Sequence, residues 1–480
     1  MTTLRRVIAL FAFACVAFAD ERSAAKRLEQ IRHDPPMLRR FLEQMPKGGD
    51  LHNHLSGTVY AETYIELAAA DGLCIDTTRL AYAQCSNDVT TPASKALSDA
   101  DLYQRMLDAM SMRQFRAIHD SGRDHFFGAF GKFSAVARRH PPEMLTEVVA
   151  RFARENVDYV ETLFAPDLSG ARELGKQFEP GTPFGDMRSA LLKNGAPQVV
   201  SASRTTIDNA ESHLRNTLKC GTPDAQKGCG STVRYLFEAH RAFPREQLFA
   251  ELLVGFELAS VDSRVVGLNI VQPEDLRGSM TQFDELMKMF AYLRPLYPKV
   301  RVSAHAGELA NGIVPPEGMQ SHIRDSVMIA NAERIGHGVD IAYERDALDL
   351  LRTMAKRPVA VEVCLTSNDV ILGVSGKQHP IRMYMNAGVP VVLATDDAGV
   401  SRSDMTNEWM RAVQEHGVTY ADLKRFARNS LELSFLEGAS LWADRTYTKR
   451  TCTTDCTSAK QRAQLRLEEG LRAFENGALR

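Results

Sequence analysis

Residues 300–308 read Val-Arg-Val-Ser-Ala-His-Ala-Gly-Glu, an alternating run that ends in a histidine, two small residues and a carboxylate. Apolar residues that alternate with polar ones predict a β-strand. The reactive side chains of His305 and Glu308 come where this strand ends. We therefore expect a strand whose carboxyl end carries functional groups.

The same arrangement recurs elsewhere in the chain. His52-Asn53-His54 closes an early strand-like run, His337 stands in Ile-Gly-His-Gly, and Asp396-Asp397 follows Val-Val-Leu-Ala-Thr. Each histidine alone is more simply explained as a core residue, and each aspartate as a helix cap. Their joint recurrence at strand ends indicates one site.

Eight strand-like runs alternate with helical stretches, which predicts parallel strands joined by crossover helices. A (β/α)8 barrel of the TIM type is favoured over a doubly wound open sheet, because the reactive clusters converge only when strand ends form a ring. The predicted strands are Gly49–Leu55, Val157–Phe164, Val233–Ala239, Val265–Val271, Val300–His305, Arg334–Val339, Val359–Leu365 and Val389–Ala394.

Segments outside the minimal barrel divide the rest of the chain. We predict a signal peptide at residues 1–19, an N-terminal helical segment at 20–46, the barrel at 47–440 and a C-terminal helical extension at 441–480. A helical insertion at about 86–140 follows the first strand. There Phe126, Phe130 and Phe133 share one helical face, which serves either core packing or a hydrophobic lid over a flat substrate.

The N-terminus has the charge, apolar core and small-residue pattern of a secretory signal, with cleavage expected after Ala19. Its apolar run is too short for a membrane span, which needs roughly 20 residues. A lipoprotein processed at Cys15 is the weaker alternative. The chain is therefore predicted to be periplasmic or secreted, with no membrane association after signal removal.

Six of the eight cysteines are close neighbours in loop-like sequence, which in an exported chain favours local disulfides. The expected pairs are Cys74–Cys85, Cys220–Cys229 and Cys452–Cys456. The chain is 44% hydrophobic and 25% charged, as in a globular protein, and its formal charge is −2. This balance offers no concentrated basic surface for nucleic acid.

The histidines and one aspartate form a plausible set of metal ligands. His52 and His54 point to one side of their strand, and His305 and Asp396 add a third imidazole and a carboxylate. Three imidazoles and a carboxylate suit one Zn²⁺. The fourth strand has no lysine that could bridge a second ion, so we expect one zinc per chain.

Three further side chains complete a hydrolytic site. A metal ion lowers the pKa of a coordinated water, and His337 can take the released proton and orient the nucleophile. Glu308 can protonate an electron-poor ring nitrogen, although a carboxylate in the first helical turn would also interact with the helix dipole. Asp397 can accept a hydrogen bond from the nucleophile or the substrate.

These motifs together resemble the adenosine deaminase family of metal-dependent hydrolases. The resemblance runs in order from about Met45 to Leu436. The segments that carry it are Met45–Leu55, His305–Glu308, Arg334–Gly338, Val363–Asn368, Thr395–Asp397 and Asn429–Glu432.

The resemblance implies a (β/α)8 barrel that hydrolyses adenosine, and 2′-deoxyadenosine, to inosine and ammonia. By it Glu308 is the ring-nitrogen acid, while His337 and Asp397 handle the attacking water. It also implies a purine contact from Gly307, a second substrate role for Asp397, and zinc ligands at His52, His54, His305 and Asp396.

Two positions depart from the family pattern. Ser56 replaces an aspartate after His-x-His-Leu, and Gln272 replaces a glycine after strand four. Both touch substrate in the family, so ribose recognition is the least determined feature. Glu274 or the long insertion is a candidate for the missing contact.

The export signal, disulfides and insertion are similar to the secreted, growth-factor-related branch, which implies a homodimer. Two alternatives to adenosine deamination stay open. One is deamination of adenine, a modified adenosine or a nucleotide, for which Arg402 and Lys377 are weak candidates for phosphate contacts. The other is a non-catalytic secreted binding or signalling protein on the same barrel.

Overall fold

Parallel strands form the centre of the protein, whose computed structural model describes residues 21–86, 89–117, 121–453 and 455–477. Eight of the strands make the barrel, and three short ones lie between the first and second barrel strands. The strands in this part of the chain are β1 (Gly48–His54), β2 (Cys74–Asp76), β3 (Ala81–Ala83), β4 (Thr90–Pro92), β5 (Val157–Phe164), β6 (Thr232–His240), β7 (Val265–Val271), β8 (Arg301–Ala306), β9 (Arg334–His337), β10 (Ala360–Val363) and β11 (Val391–Leu393).

The barrel strands pair in the order β1-β5-β6-β7-β8-β9-β10-β11, and all their pairings are parallel. Past the end of β11, Asp396 reaches back to β1. Its backbone N–H donates to the carbonyl of His52 at 2.9 Å, and Asn53 and Asp396 form a parallel bridge. The sheet is thus a nearly closed barrel, which confirms the predicted fold class.

Helices follow most of the barrel strands and cover the outside of the sheet. They are α1 (residues 21–31), α2 (Pro35–Gln44), α3 (Leu55–Thr58), α4 (Ala61–Ala70), α5 (Ala100–Ala109), α6 (Gly122–Ala137), α7 (Pro141–Arg154), α8 (Gly170–Gly175), α9 (Phe184–Lys193), α10 (Ala196–Thr217), α11 (Arg245–Val261), α12 (Arg277–Thr281), α13 (Phe283–Leu293), α14 (His322–Met328), α15 (Ala347–Lys356), α16 (Leu365–Leu372), α17 (Ile381–Asn386), α18 (Ala398–Ser401), α19 (Met405–His416), α20 (Tyr420–Glu432) and α21 (Ala459–Gly477). Short 3₁₀ turns lie at Ala93–Leu97, Pro316–Met319, Ile341–Tyr343 and Gly376–Gln378.

The predicted strands lie where the observed ones are, with small differences at their ends. The largest differences are in the seventh and eighth barrel strands, each three residues shorter than expected. The seventh was expected to reach Leu365 but ends at Val363. Leu365 instead begins α16, so the chain turns at the buried Cys364. Apolar residues continue across this turn because both the strand and the helix start are buried, and the pattern therefore does not mark the boundary.

The segment between the first and second barrel strands contains more than helices. Strands β2, β3 and β4 form a small antiparallel sheet before α5 and α6. Strands of three residues are too short to show a periodic pattern, so these three were not predicted. Helix α6 carries the aromatic segment: Phe126 and Phe133 are buried, and Phe133 stacks on Tyr64 with ring centroids 4.6 Å apart.

The C-terminal helix packs on the barrel through an apolar stripe. Leu467 and Leu471 of α21 are buried, and Phe474 lies 4.9 Å from Phe41 of α2. Lys424 of α20 also binds the carboxylate of Glu475 at 2.7 Å. Both ends of the described chain therefore meet on one side of the barrel.

Disulfides join the three expected cysteine pairs, Cys74–Cys85, Cys220–Cys229 and Cys452–Cys456. The predicted signal segment, including Cys15 and Ala19, lies outside the described residues. Within the described ranges, no helix combines the length and the apolar character that a membrane crossing requires.

Candidate metal and catalytic site

The four predicted metal ligands meet at the carboxyl end of the barrel. Nε2 of His305 lies 3.0 Å from Nε2 of His52 and 3.2 Å from Nε2 of His54. Oδ1 of Asp396 lies 3.6 Å and 3.4 Å from the same atoms of His52 and His54. These spacings are those of neighbouring ligands around one ion with bonds of about 2.0–2.1 Å.

Each imidazole is oriented by a partner on its other nitrogen. Nδ1 of His52 donates to Glu362 at 2.7 Å, and Nδ1 of His54 donates to Glu238 at 2.7 Å. Nδ1 of His305 faces Oδ1 of Asn269 at 2.8 Å. The backbone N–H of His305 also donates to that oxygen, which fixes the orientation of the amide.

This arrangement tests whether the residues fit a metal. With a proton on each Nδ1, every neutral ring presents a lone pair at Nε2. The Nε2 atoms of His52 and His54 both lie within 3.2 Å of Nε2 of His305, so the three lone pairs converge. Such a cluster repels itself unless a cation lies between the nitrogens. Metal-binding histidines commonly carry a carboxylate or a carbonyl on the second nitrogen. The donor set therefore fits a divalent metal ion.

Charge at the site favours a cation as well. Burial works against the protonated form of His54, but the carboxylates of Asp397, Glu238 and Asp396 outweigh it and raise its pKa to about 10. The pKa of His305 is well below its ordinary value, through burial and then the charges of His52 and His54. The carboxylates around His54 therefore favour positive charge at this side of the ligand cluster, and His305 stays neutral.

A glycine makes room for the first ligand. An added Cβ at Gly336 would lie 2.5 Å from Cε1 of the His52 ring. This confirms the expectation that small residues flank the ligands, at this position in β9. A larger residue would displace the imidazole.

Glu308 lies beside the ligands and lines the adjoining cavity. Burial raises its pKa well above the ordinary value, and the carboxylates of Asp396 and Glu274 raise it further. This shift favours the protonated form, which a proton donor needs. Its Oε1 lies 3.6 Å from Nε2 of His337.

His337 and Asp397 lie beside the metal ligands and each keeps unused hydrogen-bonding capacity. Nε2 of His337 and Oδ1 of Asp397 are buried atoms without a hydrogen-bond partner among the described residues. Burial, together with the charge of Asp396, raises the pKa of Asp397 well above its ordinary value. The fold thus brings all seven predicted metal and proton-transfer residues to one place.

A cavity of about 430 Å³ opens next to these groups. One wall is apolar and comes from the insertion helix α6 through Phe126, Phe127 and Phe130. Leu276 and Ile371 extend that wall, and the polar side carries Ser56, Glu238, His240 and Gln272. Phe126 is therefore both a core residue and part of the cavity wall. The lid over a flat substrate stays a prediction.

The other predicted substrate residues differ in placement. Ser56 and Gln272 line the cavity, and the side-chain oxygen of Gln272 accepts from Ala242 N–H at 2.9 Å. Gly307 is not among the lining residues, and its N–H already donates to Oε1 of Glu274 at 3.2 Å. The purine contact implied for Gly307 is therefore not supported by this geometry.

Glu274 does not replace the missing ribose contact either. Its carboxylate is fully enclosed and accepts from Glu308 N–H at 2.8 Å and from the His322 ring. It is thus committed to holding the loop that carries Glu308. Of the two candidates, only the insertion reaches the cavity, through Arg123 and the phenylalanines.

The sequence reasoning missed the partners that orient the ligands: Glu362, Glu238 and Asn269. Each is a polar residue within a predicted buried strand, and two of them, Glu362 and Asn269, have no exposed surface. A buried polar group needs a partner. An isolated carboxylate or amide inside an apolar strand was therefore the available signal.

Residues 46–441 match the family model described as Adenosine deaminase. A curated adenosine deaminase of Clostridium perfringens is 25% identical over 387 residues, covering 80% of this chain and 93% of the relative.

Among solved structures, the chain resembles an amidohydrolase from Burkholderia ambifaria with bound zinc. The TM-score is 0.55 at 18% identity, covering 92% of this chain and 94% of the other. The Arabidopsis protein ADAL complexed with IMP gives a TM-score of 0.57 at 19% identity, covering 90% and 99%. At these identities the similarity concerns the barrel fold.

Proposed function

This chain belongs to the adenosine deaminase family and is a metal-binding hydrolytic deaminase, and from that premise we propose that it is an exported, zinc-dependent enzyme acting on adenosine and 2′-deoxyadenosine. The observation that carries the proposal is the convergence of three imidazoles: the Nε2 atoms of His52 and His54 lie within 3.2 Å of Nε2 of His305. Glu308 is buried beside them at the cavity wall.

Zinc would be held by His52, His54, His305 and Asp396. When bound, it supplies Lewis acidity that lowers the pKa of the attacking water. Imidazole and carboxylate donors suit zinc better than hard cations such as magnesium. Metal analysis of the purified protein, before and after dialysis against a chelator, tests both the identity of the ion and its number per chain.

The chain's own residues provide the proton transfers. Glu308 lines the cavity in its protonated form and gives its proton to the purine ring nitrogen as the neighbouring carbon is attacked. His337 and Asp397, each with a free buried atom, orient the water and take up its proton.

The reaction balances without another reactant. The carbon–oxygen bond forms and the carbon–nitrogen bond breaks. One proton of the water leaves with the amine as ammonia, and the other restores the acid form of Glu308. The ring keeps the proton that Glu308 donated, which gives the oxo product.

The cavity supports a flat, uncharged nucleoside over a nucleotide. Arg123 supplies the only guanidinium or ammonium group among the described residues of the cavity lining, and it is paired with Asp275 at 2.7 Å and Asp124 at 2.8 Å. The earlier phosphate candidate Arg402 is bound to Glu62 at 2.6 Å. A phosphate entering here would meet Glu238 without a free cation to balance it.

A substrate panel tests this assignment. Adenosine, deoxyadenosine, adenine and adenosine monophosphate are compared by the ultraviolet absorbance change of deamination. We expect the two nucleosides to have the highest kcat/KM. Faster turnover of adenine or the monophosphate would transfer the assignment to that alternative, and no turnover by zinc-loaded protein of any of the four would favour the non-catalytic binding protein.

Export is proposed from the signal pattern of residues 1–19 together with the three disulfides, which persist in oxidising compartments. N-terminal sequencing of the mature protein from the periplasm or medium should begin at Asp20. Recovery of a chain lipidated at Cys15 would favour the lipoprotein route. Sedimentation of the same sample tests the predicted homodimer.

A further inference from the structure

We propose that Asn368 and His379 act as positioning residues that hold the imidazole of His337 in the tautomer with its proton on Nε2. The inference rests on the proposed deamination, because it concerns how His337 meets the attacking water. It is carried by a chain of hydrogen bonds that begins at a backbone amide outside the site and ends at the His337 ring.

The series of hydrogen bonds starts with His379, which follows the 3₁₀ turn after α16. The backbone N–H of Ile381 points to Nδ1 of this ring at 3.2 Å. A backbone amide can only donate, so Nδ1 must be the acceptor. Burial lowers the pKa of His379 to about 3, and the charges of His416 and Arg411 add to the effect. The ring is therefore neutral and carries its one proton on Nε2.

That proton determines how the Asn368 amide is turned. Nε2 of His379 lies 3.0 Å from Oδ1 of Asn368, and this oxygen accepts the bond. The opposite orientation would face two N–H groups toward each other in a fully buried place. Leaving such donors unsatisfied costs about 1–3 kcal/mol each. The amide NH₂ of Asn368 is thereby directed away from His379.

The NH₂ group meets His337. Nδ2 of Asn368 lies 2.9 Å from Nδ1 of His337, which must accept and so has no proton. A neutral His337 then carries its proton on Nε2. This is the ring nitrogen that faces the reaction space, 3.6 Å from Oε1 of Glu308 and without a hydrogen-bond partner among the described residues.

The backbone supports the same assignment. His337 adopts a left-handed conformation with φ of 67°, which a residue with a side chain rarely keeps without compensation. His337 and Asn368 have no exposed surface, and His379 has 4%. Water therefore cannot replace any of these three side chains in the relay, the hydrogen-bonded series of His379, Asn368 and His337. The conformation and the hydrogen bonds together determine both the place and the proton of the ring.

The tautomer of His337 determines which residue donates to the attacking water and which accepts its proton. A ring with Nε2–H donates a hydrogen bond to the attacking oxygen but cannot take a proton at that nitrogen. His337 then performs the orienting part of its predicted role. In its ionised form Asp397, whose buried Oδ1 has no hydrogen-bond partner among the described residues, is the remaining predicted acceptor of the water's proton. Glu308 remains the donor to the ring nitrogen.

The tautomer can be read directly in the metal-loaded enzyme labelled with ¹⁵N-histidine. Long-range ¹H–¹⁵N spectra distinguish protonated from unprotonated ring nitrogens, and the His337 signals are assigned by their loss in His337→Gln. We expect Nε2 to be protonated and Nδ1 to be bare. A wild-type spectrum with the proton on Nδ1 overturns the proposal, whatever the activity of the enzyme.

Asn368→Asp should reverse the tautomer, because a carboxylate accepts from both rings and draws the His337 proton to Nδ1. We expect kcat to fall about 100-fold, as when a transition-state donor is removed, with KM within about twofold. Asn407→Asp is the matched control, since this amide donates to Ser403 at 2.9 Å outside the relay. It should keep the wild-type tautomer and kcat.

A second pair of variants tests the role of His379 in orienting the Asn368 amide, without adding charge. His379→Gln retains an N–H for Oδ1 of Asn368 and should keep the Nε2–H signal and most of kcat. His379→Leu frees the amide to turn and should give mixed tautomers with reduced kcat. If both variants show the wild-type spectrum, or if Asn368→Asp leaves the proton on Nε2, His379 and Asn368 only pack. If deamination fails but the spectra behave as expected, the proposed function alone is wrong.

Discussion

Oε2 of Glu362 accepts a hydrogen bond from Nδ1 of His52 at 2.7 Å, and neither side chain has exposed surface. The other oxygen of Glu362 binds Nε of Arg334, which also pairs with Glu161 at 2.6 Å. One carboxylate therefore links the metal-facing imidazole to the charged centre of the barrel.

Glu362→Gln should weaken both metal binding and folding. Loss of a partner behind a ligand lowers metal affinity by about 10–100-fold. Arg334 keeps its pair with Glu161, so the loss of one of its two carboxylates costs about 1.5–3 kcal/mol of unfolding free energy. Chelator competition and urea unfolding measure the two effects. Glu238→Gln, behind His54 at a site with 15% exposure, should lose affinity with a smaller stability change. Equal affinity in all three proteins would contradict the orienting role.

Glu308→Gln should lose turnover while keeping the metal. The amide cannot donate an acidic proton to the ring nitrogen, and positioned acids contribute about 10²–10⁴-fold to rate. We expect kcat to fall at least into that range with metal content near one ion per chain, measured by absorbance kinetics and elemental analysis. A variant with the wild-type rate would show that another group is the acid.

Glu408 should make the fold less stable as pH rises from 4.5 to 7. Burial raises the pKa of this side chain from 4.5 to about 7, although hydrogen bonds from Thr366 oppose the shift. In that window the folded protein binds more protons than the unfolded chain, so stability falls with pH and the cost is complete above pH 7.

Glu408→Gln does not ionise, so its stability relative to wild type should improve between pH 4.5 and 7.5 by up to about 3 kcal/mol. Urea unfolding across this range measures the difference. The other buried carboxyl groups titrate equally in both proteins, so their contributions cancel in the difference in unfolding free energy. Parallel stability curves for the two proteins would rule out ionisation of Glu408 as the cause.

Alanine substitutions of two phenylalanines of α6 should distinguish a role in core packing from a role in substrate binding. Phe133 stacks on Tyr64, so Phe133→Ala should lower the unfolding free energy by about 3–5 kcal/mol. Phe130 is half-buried and lines the cavity, so Phe130→Ala should cost less stability and raise KM about tenfold through lost contact with the purine. An unchanged KM for Phe130→Ala would remove the insertion from substrate binding.

Removal of the Cys74–Cys85 disulfide should destabilise the protein more than removal of the Cys452–Cys456 disulfide, which closes a shorter loop. The Cys74–Cys85 and Cys452–Cys456 pairs are 11 and 4 residues apart. By loop entropy, paired Cys→Ser replacements should cost about 3 and about 2 kcal/mol, respectively. Denaturant unfolding of the oxidised proteins measures both. A larger loss for the 452–456 pair would show that native contacts, rather than loop length, decide the effect.

The sequence predicted most of the site because chemistry and strand position coincide in it. His52, His305 and Asp396 are reactive residues at the ends of apolar runs, and a barrel has one rim where such ends meet. Export, the mature N-terminus and the dimer stay predictions, since the relevant residues lie outside the described part of the chain or need a second copy.

The barrel, the three disulfide pairs and the side chains that share the rim could be predicted from the sequence, because strand periodicity and local spacing are properties of neighbouring residues. Other relationships are visible only in the folded protein: Glu362 accepts from His52, Glu274 accepts from Gly307 N–H, and Asn368 and His379 form hydrogen bonds that lead to His337. These pairs join residues from separate elements. Their geometry depends on how strands and helices pack in three dimensions, and the sequence pattern of a single element does not contain it.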